Sequence, residues 1–218
     1  MRNKGSLLRE LPVLVVVALV VSLLIKTFLV QFFYIPSGSM ENTLQVKDRV
    51  AVNKLPFLSK NINRGDVVVF RDPDNWLPEI TDYTTNQYVA KAKSALVAVG
   101  VLPNPAKQDL VKRVVGVAGD HIVCCTKSGN LTINDVEVIE PYIFAGNKPS
   151  EMKFDVTVPK GKLWVMGDHR SASADSRYHQ EDINKGFVPL SRVTGRVVAI
   201  IWPFKNITYV PKVDVLKK

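Results

Sequence analysis

Three polar segments in this 218-residue chain carry side chains able to do covalent chemistry. The first is Pro36-Ser37-Gly38-Ser39-Met40, two small hydroxyls on either side of a glycine. By itself such a string reads as an exposed turn. The second is Asp109-Leu110-Val111-Lys112-Arg113-Val114-Val115-Gly116, an apolar run interrupted by two cations. Strand alternation puts Leu110, Lys112 and Val114 on one face and Val111, Arg113 and Val115 on the other. Either one cation faces the interior or both faces are partly covered. A lysine desolvated among Val and Leu has its charged form disfavoured, so its pKa falls. A neutral amine can take the proton of a serine hydroxyl and make it a nucleophile. The third segment, Gly167 to Arg177, holds Asp168, Asp175, Ser171, Ser173, Ser176, Arg170 and Arg177. It can pair charges and orient a lysine by hydrogen bonds.

A Ser-His-Asp triad is the rival chemistry, with His121, His169 and His179 as its possible bases. A metal centre lacks support. His121-x-x-Cys124-Cys125 has no second ligand pair, so neither a metal nor another cofactor is expected. Composition narrows the class further. The hydrophobic content of 46% excludes a wholly disordered chain, and two cysteines exclude a disulfide-dense scaffold. The net charge of +9 suits nucleic acid or an anionic lipid surface. No helix-turn-helix, zinc finger or Arg-rich stripe is present, so nucleic acid is not expected as a partner.

The N-terminus explains the charge. Leu11 to Ile25 is an uncharged run, interrupted by Lys26 and then continuing mostly apolar. A helix over residues 11–30 would be about 30 Å long, the thickness of a bilayer core, with Lys26 snorkelling to the headgroups. Arg2, Lys4 and Arg9 precede it, which keeps the first ten residues cytoplasmic and the rest outside. The bulky Gln31-Phe32-Phe33-Tyr34-Ile35-Pro36 does not resemble a small-x-small cleavage site, so the run reads as a retained anchor.

Residues 31–218 read as an extracytoplasmic, β-rich domain. Strand-like runs occupy 49–52, 66–70, 110–117, 121–125, 131–133, 136–138, 155–158, 162–166 and 196–202. Asn134-Asp135 is a two-residue turn within a meander, and Pro159-Lys160-Gly161 signals a hairpin. An insertion of about residues 74–107 carries a helical stripe of Val89, Ala92, Leu96 and Val99. Lys212 to Lys218 reads as a frayed basic tail. Adjacent Cys124 and Cys125 read as reduced thiols, because Cα atoms ~3.8 Å apart across a trans peptide fall below the usual disulfide range of about 4.4 Å and up.

In this order after one anchor, the segments resemble bacterial type I signal peptidase, the leader peptidases of peptidase family S26. The resembling stretches are Ser37-Gly38-Ser39-Met40, Gly65-Asp66-Val67-Val68, Lys112 to Gly116 with Gly119-Asp120, and Gly167 to Arg170 through Ser173, Asp175, Ser176 and Arg177. The resemblance implies a mainly β, antiparallel, barrel-like catalytic domain of the signal peptidase/LexA-like kind, with one transmembrane helix. It implies a membrane-anchored serine endopeptidase that cuts signal peptides from exported preproteins after small-x-small sites. Its partners would be those preproteins, membrane lipids and the Sec/Tat export machinery, at the plasma membrane. Ser39 would be the nucleophile and Lys112 its general base, with the Ser39 N–H and Ser37 hydroxyl as oxyanion hole. Ser173 would orient Lys112, Asp168 would pair with Arg113, and Asp175 with Arg177. Ile35, Met40, Leu44, Asp109 and Val111 would contact substrate.

Three positions depart from the family's pattern. Asn42 stands where Pro is usual, which implies a looser turn after the nucleophile. Ala118 replaces Pro, and His169 replaces Asn. Lys112 stands where endoplasmic-reticulum relatives use His. The alternative is a non-catalytic, membrane-tethered β-domain of the same descent, which need not keep the Ser39/Lys112 pair.

Overall fold

A computed structural model describes residues 10–19, 21, 29–55, 62–77, 109–213 and 215–216. Residues 10–19 and 21 are helical. Among the described residues no helix is long and apolar enough to cross a membrane. Val30, the last residue of the expected anchor, opens a strand, and residues 20 and 22–28 of that expectation lie outside the described residues. Most of the expected insertion, with its helical stripe, lies outside the described residues.

Twelve strands follow in chain order: β1 (Val30–Tyr34), β2 (Arg49–Asn53), β3 (Val67–Arg71), β4 (Asp109–Gly116), β5 (His121–Cys124), β6 (Leu131–Ile133), β7 (Val136–Val138), β8 (Phe154–Thr157), β9 (Lys162–Met166), β10 (Val188–Pro189), β11 (Val193–Trp202) and β12 (Thr208–Tyr209). They build two antiparallel sheets. The larger runs β1-β2-β11-β3-β4-β9-β10, with β12 also on β11; the smaller runs β7-β6-β5-β8. The larger sheet is open, which corrects the barrel-like expectation. Its far edge, β10, is two residues long and includes Pro189, which has no N–H to donate to a further strand.

The alternation of β3 explains why both of its faces are covered. Val67 and Val69 pack with Ile35, Met40, Leu44, Val50, Val52, Val197 and Ile200. Val68 and Phe70 pack on the other side with Trp76, Leu110, Val114, Leu163, Val165 and Val188. A strand buried on both faces reads as a continuous apolar run. In the same register Lys112 lies opposite Val68 and Arg113 opposite Val67. The two cations therefore project to opposite, covered faces, and both are buried.

The smaller sheet is the expected meander. Asn134 and Asp135 have φ of 52° and 63°, the left-handed pair a tight two-residue hairpin requires. The hairpin expected at Pro159-Lys160-Gly161 does not form. β8 pairs with β5, while β9 pairs with β4 and β10, so this turn passes the chain from one sheet to the other. Cys124 and Cys125 form a disulfide across a cis peptide bond, with Cα atoms 3.0 Å apart. The trans spacing behind the expectation of free thiols does not apply. The C-terminal tail is not frayed throughout: Val215 and Leu216 pack against the core of the smaller sheet.

Candidate active site

The nucleophile candidate sits on a turn closed from both ends. Ile35 N–H donates to Asp48 O and Lys47 N–H to Ile35 O, each at 2.9 Å, which pinches the loop between them. Inside it Gly38–Met40 forms one 3₁₀ turn, with Ser39 buried. From β4, Lys112 Nζ reaches Ser39 Oγ at 2.7 Å. Lys112 is 3% exposed. Its pKa is lowered to about 8, first by desolvation, with Asp175 pulling upward, Arg177 downward and Asp168 upward. None of the histidines takes this place. His121 pairs with Asp155, His179 with Asp182 and His169 with Glu41.

Arg113, the next residue, faces away from Lys112 and grips Asp168 with two bonds, Nε to Oδ1 at 2.8 Å and Nη2 to Oδ2 at 2.7 Å. It also donates to Gly65 O at 2.8 Å and Thr43 Oγ1 at 2.9 Å, while Thr43 Oγ1 donates to Asp168 Oδ2 at 2.5 Å. One guanidinium thus ties β4, the turn before β3, the nucleophile turn and the 167–177 loop together. Asp175 organises that loop. It accepts from Arg177 Nε and Nη2, from the Gly167 N–H at 2.9 Å and from Ser173 Oγ at 2.8 Å. The last bond gives the Ser173 proton to Asp175, and no hydrogen bond joins Ser173 to Lys112. Ser173 still limits space. A Cβ on Gly167 would lie 2.3 Å from Ser173 Oγ and 2.5 Å from Ser39 O, so only glycine fits.

The remaining expected residues fall on two sides of the nucleophile. Ser37 is exposed, with extended backbone, two residues before Ser39. Ile35, Met40 and Leu44 are buried in one core, with Val111 partly buried against it. Asp109 opens β4 opposite Arg71, half-buried.

Several contributors were not found from sequence. Glu140 lies buried against Arg170, whose Nη1 and Nη2 donate to its carboxylate at 2.9 and 2.6 Å. Tyr142 donates to Glu140 Oε1 at 2.8 Å, and the Arg113 guanidinium lies over its ring at 4.1 Å. Burial, then the Glu140 charge, hold the Tyr142 phenol protonated well above its ordinary range. Asn42 is the pin. Its side-chain amide donates to Tyr142 O at 3.0 Å, and its φ is 89°. The turn is therefore not loosened by the missing proline. It adopts a conformation proline cannot reach, and a cross-loop bond holds it. The polar run around Arg170 was the available signal, but its partner lies 30 residues away.

A family model described as "Signal peptidase, peptidase S26" matches residues 8–202. A probable signal peptidase I of Mycobacterium leprae is 37% identical over 228 residues, spanning 92% of this chain and 78% of that protein. A signal peptidase I of Mycobacterium tuberculosis is 38% identical over 224 residues, spanning 92% of this chain and 74% of that protein. A solved signal peptidase I of Enterococcus faecalis aligns with 62% of this chain and 96% of its own, at 23% identity and a TM-score of 0.39.

Two expectations follow from the geometry. The folded Lys112 loses its proton near pH 8, while an unfolded lysine keeps it to about 10.5. The unfolded state therefore binds more protons between those values, and stability rises with pH across that window. Lys112→Met should be more stable than the parent at pH 7, with the gap closing from about pH 8 to about 10.5. Denaturant titrations at stepped pH measure this. The second concerns Asn42. Proline locks φ near about −65°, so Asn42→Pro should lose stability by roughly 1–3 kcal/mol, whereas Asn42→Gly, which keeps the left-handed conformation, should lose less. Thermal midpoints of the two variants decide it.

Proposed function

The chain belongs to the signal peptidase family, peptidase S26, whose members are serine peptidases, and from that premise we propose that it cleaves exported preproteins by a Ser39–Lys112 dyad. The observation that carries this is the 2.7 Å contact between Lys112 Nζ and Ser39 Oγ, with both residues buried. The neutral amine takes the Ser39 proton as Oγ attacks the scissile carbonyl, then gives it to the leaving amine. The Ser39 N–H and the exposed Ser37 hydroxyl stabilise the oxyanion. Asp168 with Arg113, and Asp175 with Arg177 and Ser173, hold the surrounding loop in place.

Substrate binds as an added strand. β9 pairs with β4 only from Arg113 to Gly116, so among the described residues the Leu110–Lys112 edge has no strand beside it on that side. An extended peptide there runs past Asp109 and Val111 on one side and Ile35 to Ser37 on the other. Its residues at −1 and −3 share a face and meet the floor made by Ile35, Met40, Leu44 and Val111, which leaves room for small side chains.

The domain division proposed is a cytoplasmic residues 1–10, an anchor beginning at 11 and ending before β1, and an extracytoplasmic catalytic domain to 218. A lipid-facing surface supports it. The register Phe32↔Ala51, Ala51↔Ala199 and Ala199↔Tyr209 puts Phe32 and Tyr209 on one sheet face, and Tyr34↔Arg49↔Trp202 lies beside it. Phe32, Tyr34, Trp202, Phe204 and Tyr209 are all exposed there, too large an apolar group for water alone. Preproteins delivered by the Sec/Tat export machinery are the substrates.

Three outcomes are expected of detergent-solubilised enzyme on a synthetic signal peptide. Ser39→Ala and Lys112→Met should each abolish cleavage, and kcat/KM of the parent should rise with pH to a plateau above about 8. At pH 7 it should be roughly tenfold below the plateau, since only the neutral amine is a base. A flat profile argues against a lysine base. Ser37→Ala should lower kcat by roughly 10²–10³ with little change in KM; a loss confined to KM would assign Ser37 to ground-state binding. In a panel varied one position at a time, Ala→Phe at −1 or −3 should stop cleavage while bulky residues at −2 are tolerated. Cleavage after large residues at −1 overturns the signal-peptidase reading.

A further inference from the structure

Glu41 and His169 stand beside the dyad without belonging to it. The His169 N–H donates to Ser39 O at 3.1 Å. Its ring nitrogen Nδ1 lies 2.9 Å from Glu41 Oε2, with the two side chains 18% and 28% exposed. The imidazole stacks on Phe144, centroids 4.1 Å apart at 15°, and Phe144 is itself fixed by its N–H to Asp168 O at 2.9 Å. On the other strand of the turn the Glu41 N–H donates to Gly38 O at 3.0 Å. The Glu41 carboxylate lies so close over Gly38 that a Cβ there would meet it at 2.9 to 3.1 Å.

These links close a ring. It runs from the Ser39 carbonyl to the His169 amide, through the imidazole to the Glu41 carboxylate, and back along the turn through Glu41 and Met40. The nucleophile sits inside it. Backbone bonds close one part, and the only side-chain link is the Glu41–His169 contact. With that link cut, the His169 amide still meets Ser39 O and Thr43 still meets Asp168, but the 38–41 segment loses its side-chain tie to residue 169.

We propose that Glu41 and His169 are positioning residues, which lock the nucleophile turn so that the Ser39 hydroxyl stays on Lys112 and its N–H stays aimed at the developing oxyanion. This rests on the dyad reading above for its effect on catalysis, but not for its effect on the turn. A half-sheltered, charge-assisted bond is worth more than an exposed one. A nucleophile displaced by a fraction of an ångström loses rate, not binding, because substrate is held by the β4 edge and by Ile35 to Ser37.

The test uses the full chain in detergent with Glu41→Gln, Glu41→Ala, His169→Ala and the double alanine variant. Hydrogen exchange resolved to single amides reads the turn directly. In Glu41→Ala the residue-169 amide should exchange roughly tenfold faster, with β3, β4 and β9 unchanged. Unchanged exchange at 169, or acceleration spread across those strands, overturns the proposal. Cleavage of the synthetic signal peptide reads catalysis. Each alanine variant should lower kcat by roughly tenfold with KM within about twofold, and the double variant should lose no more than the worse single one. Glu41→Gln, which keeps an acceptor, should recover most of the rate. Additive losses, or losses in KM, count against the proposal. Parent enzyme that does not cut the peptide sinks the dyad reading instead, and the exchange result still decides whether the pair locks the turn.

Discussion

A lysine that must stay inside a sheet sets the terms for everything around it. Lys112 is buried on a strand covered on both faces, and water cannot solvate its ammonium there. Desolvation pushes the proton off, and the nearby carboxylates push it back on. The outcome depends on how much of each carboxylate's charge is already used. Asp175 is held by the Arg177 guanidinium, the Gly167 N–H and the Ser173 hydroxyl. Asp168 is held by Arg113 and Thr43. Neither forms an ion pair with Lys112, so desolvation dominates and the pKa settles at about 8. A lone aspartate at the same place would have kept the lysine charged and useless as a base.

Arg113 solves the opposite problem one residue along. A guanidinium keeps its charge in a protein, so a buried one must be paired and its donors filled. Arg113 fills four of its five with Asp168, Thr43 and Gly65, and places its plane over Tyr142. Two more buried pairs, Arg170–Glu140 and Arg177–Asp175, extend the same arrangement. Such pairs contribute little net stability, because desolvation offsets most of their attraction. They contribute position. Removing either member leaves an uncompensated buried charge, so loops from four parts of the chain can close on the nucleophile turn in one arrangement only.

What could be read from sequence was what local pattern determines. Short apolar runs mark β3, β4 and β9, and Asn134-Asp135 marks its own turn. The oddity of a lysine in an apolar strand points to chemistry before any partner is known. Most of the failures share one cause, pairing at a distance. Val30 looks like the last residue of an apolar helix, and only the register of residues 30–34 with β2 shows that a strand begins there. β8 and β9 look like a hairpin across Pro159-Lys160-Gly161, but each finds its partner in a different sheet. Asn42 looks like a lost proline. Only its positive φ and its bond to Tyr142, 100 residues on, show a different way of fixing the same turn.

The position of β1 links the dyad to the bilayer. On the proposed anchoring, the chain leaves the membrane, runs through β1 and reaches Ser39 five residues after Tyr34. Fully extended, five residues span at most about 17 Å. The actual path is shorter, because Ile35 is tied to Asp48 and Lys47 and the chain then coils into the 3₁₀ turn. On that anchoring the nucleophile lies within about 17 Å of Tyr34, on the rim of the exposed aromatic face of β1, β11 and β12. A signal peptide is itself held in the bilayer by its apolar segment, and its cut site follows that segment closely. On the proposed function both reactive partners would be held near the same surface by short tethers. Such confinement would supply much of the encounter that the proposed shallow pockets for small side chains could not supply by affinity alone.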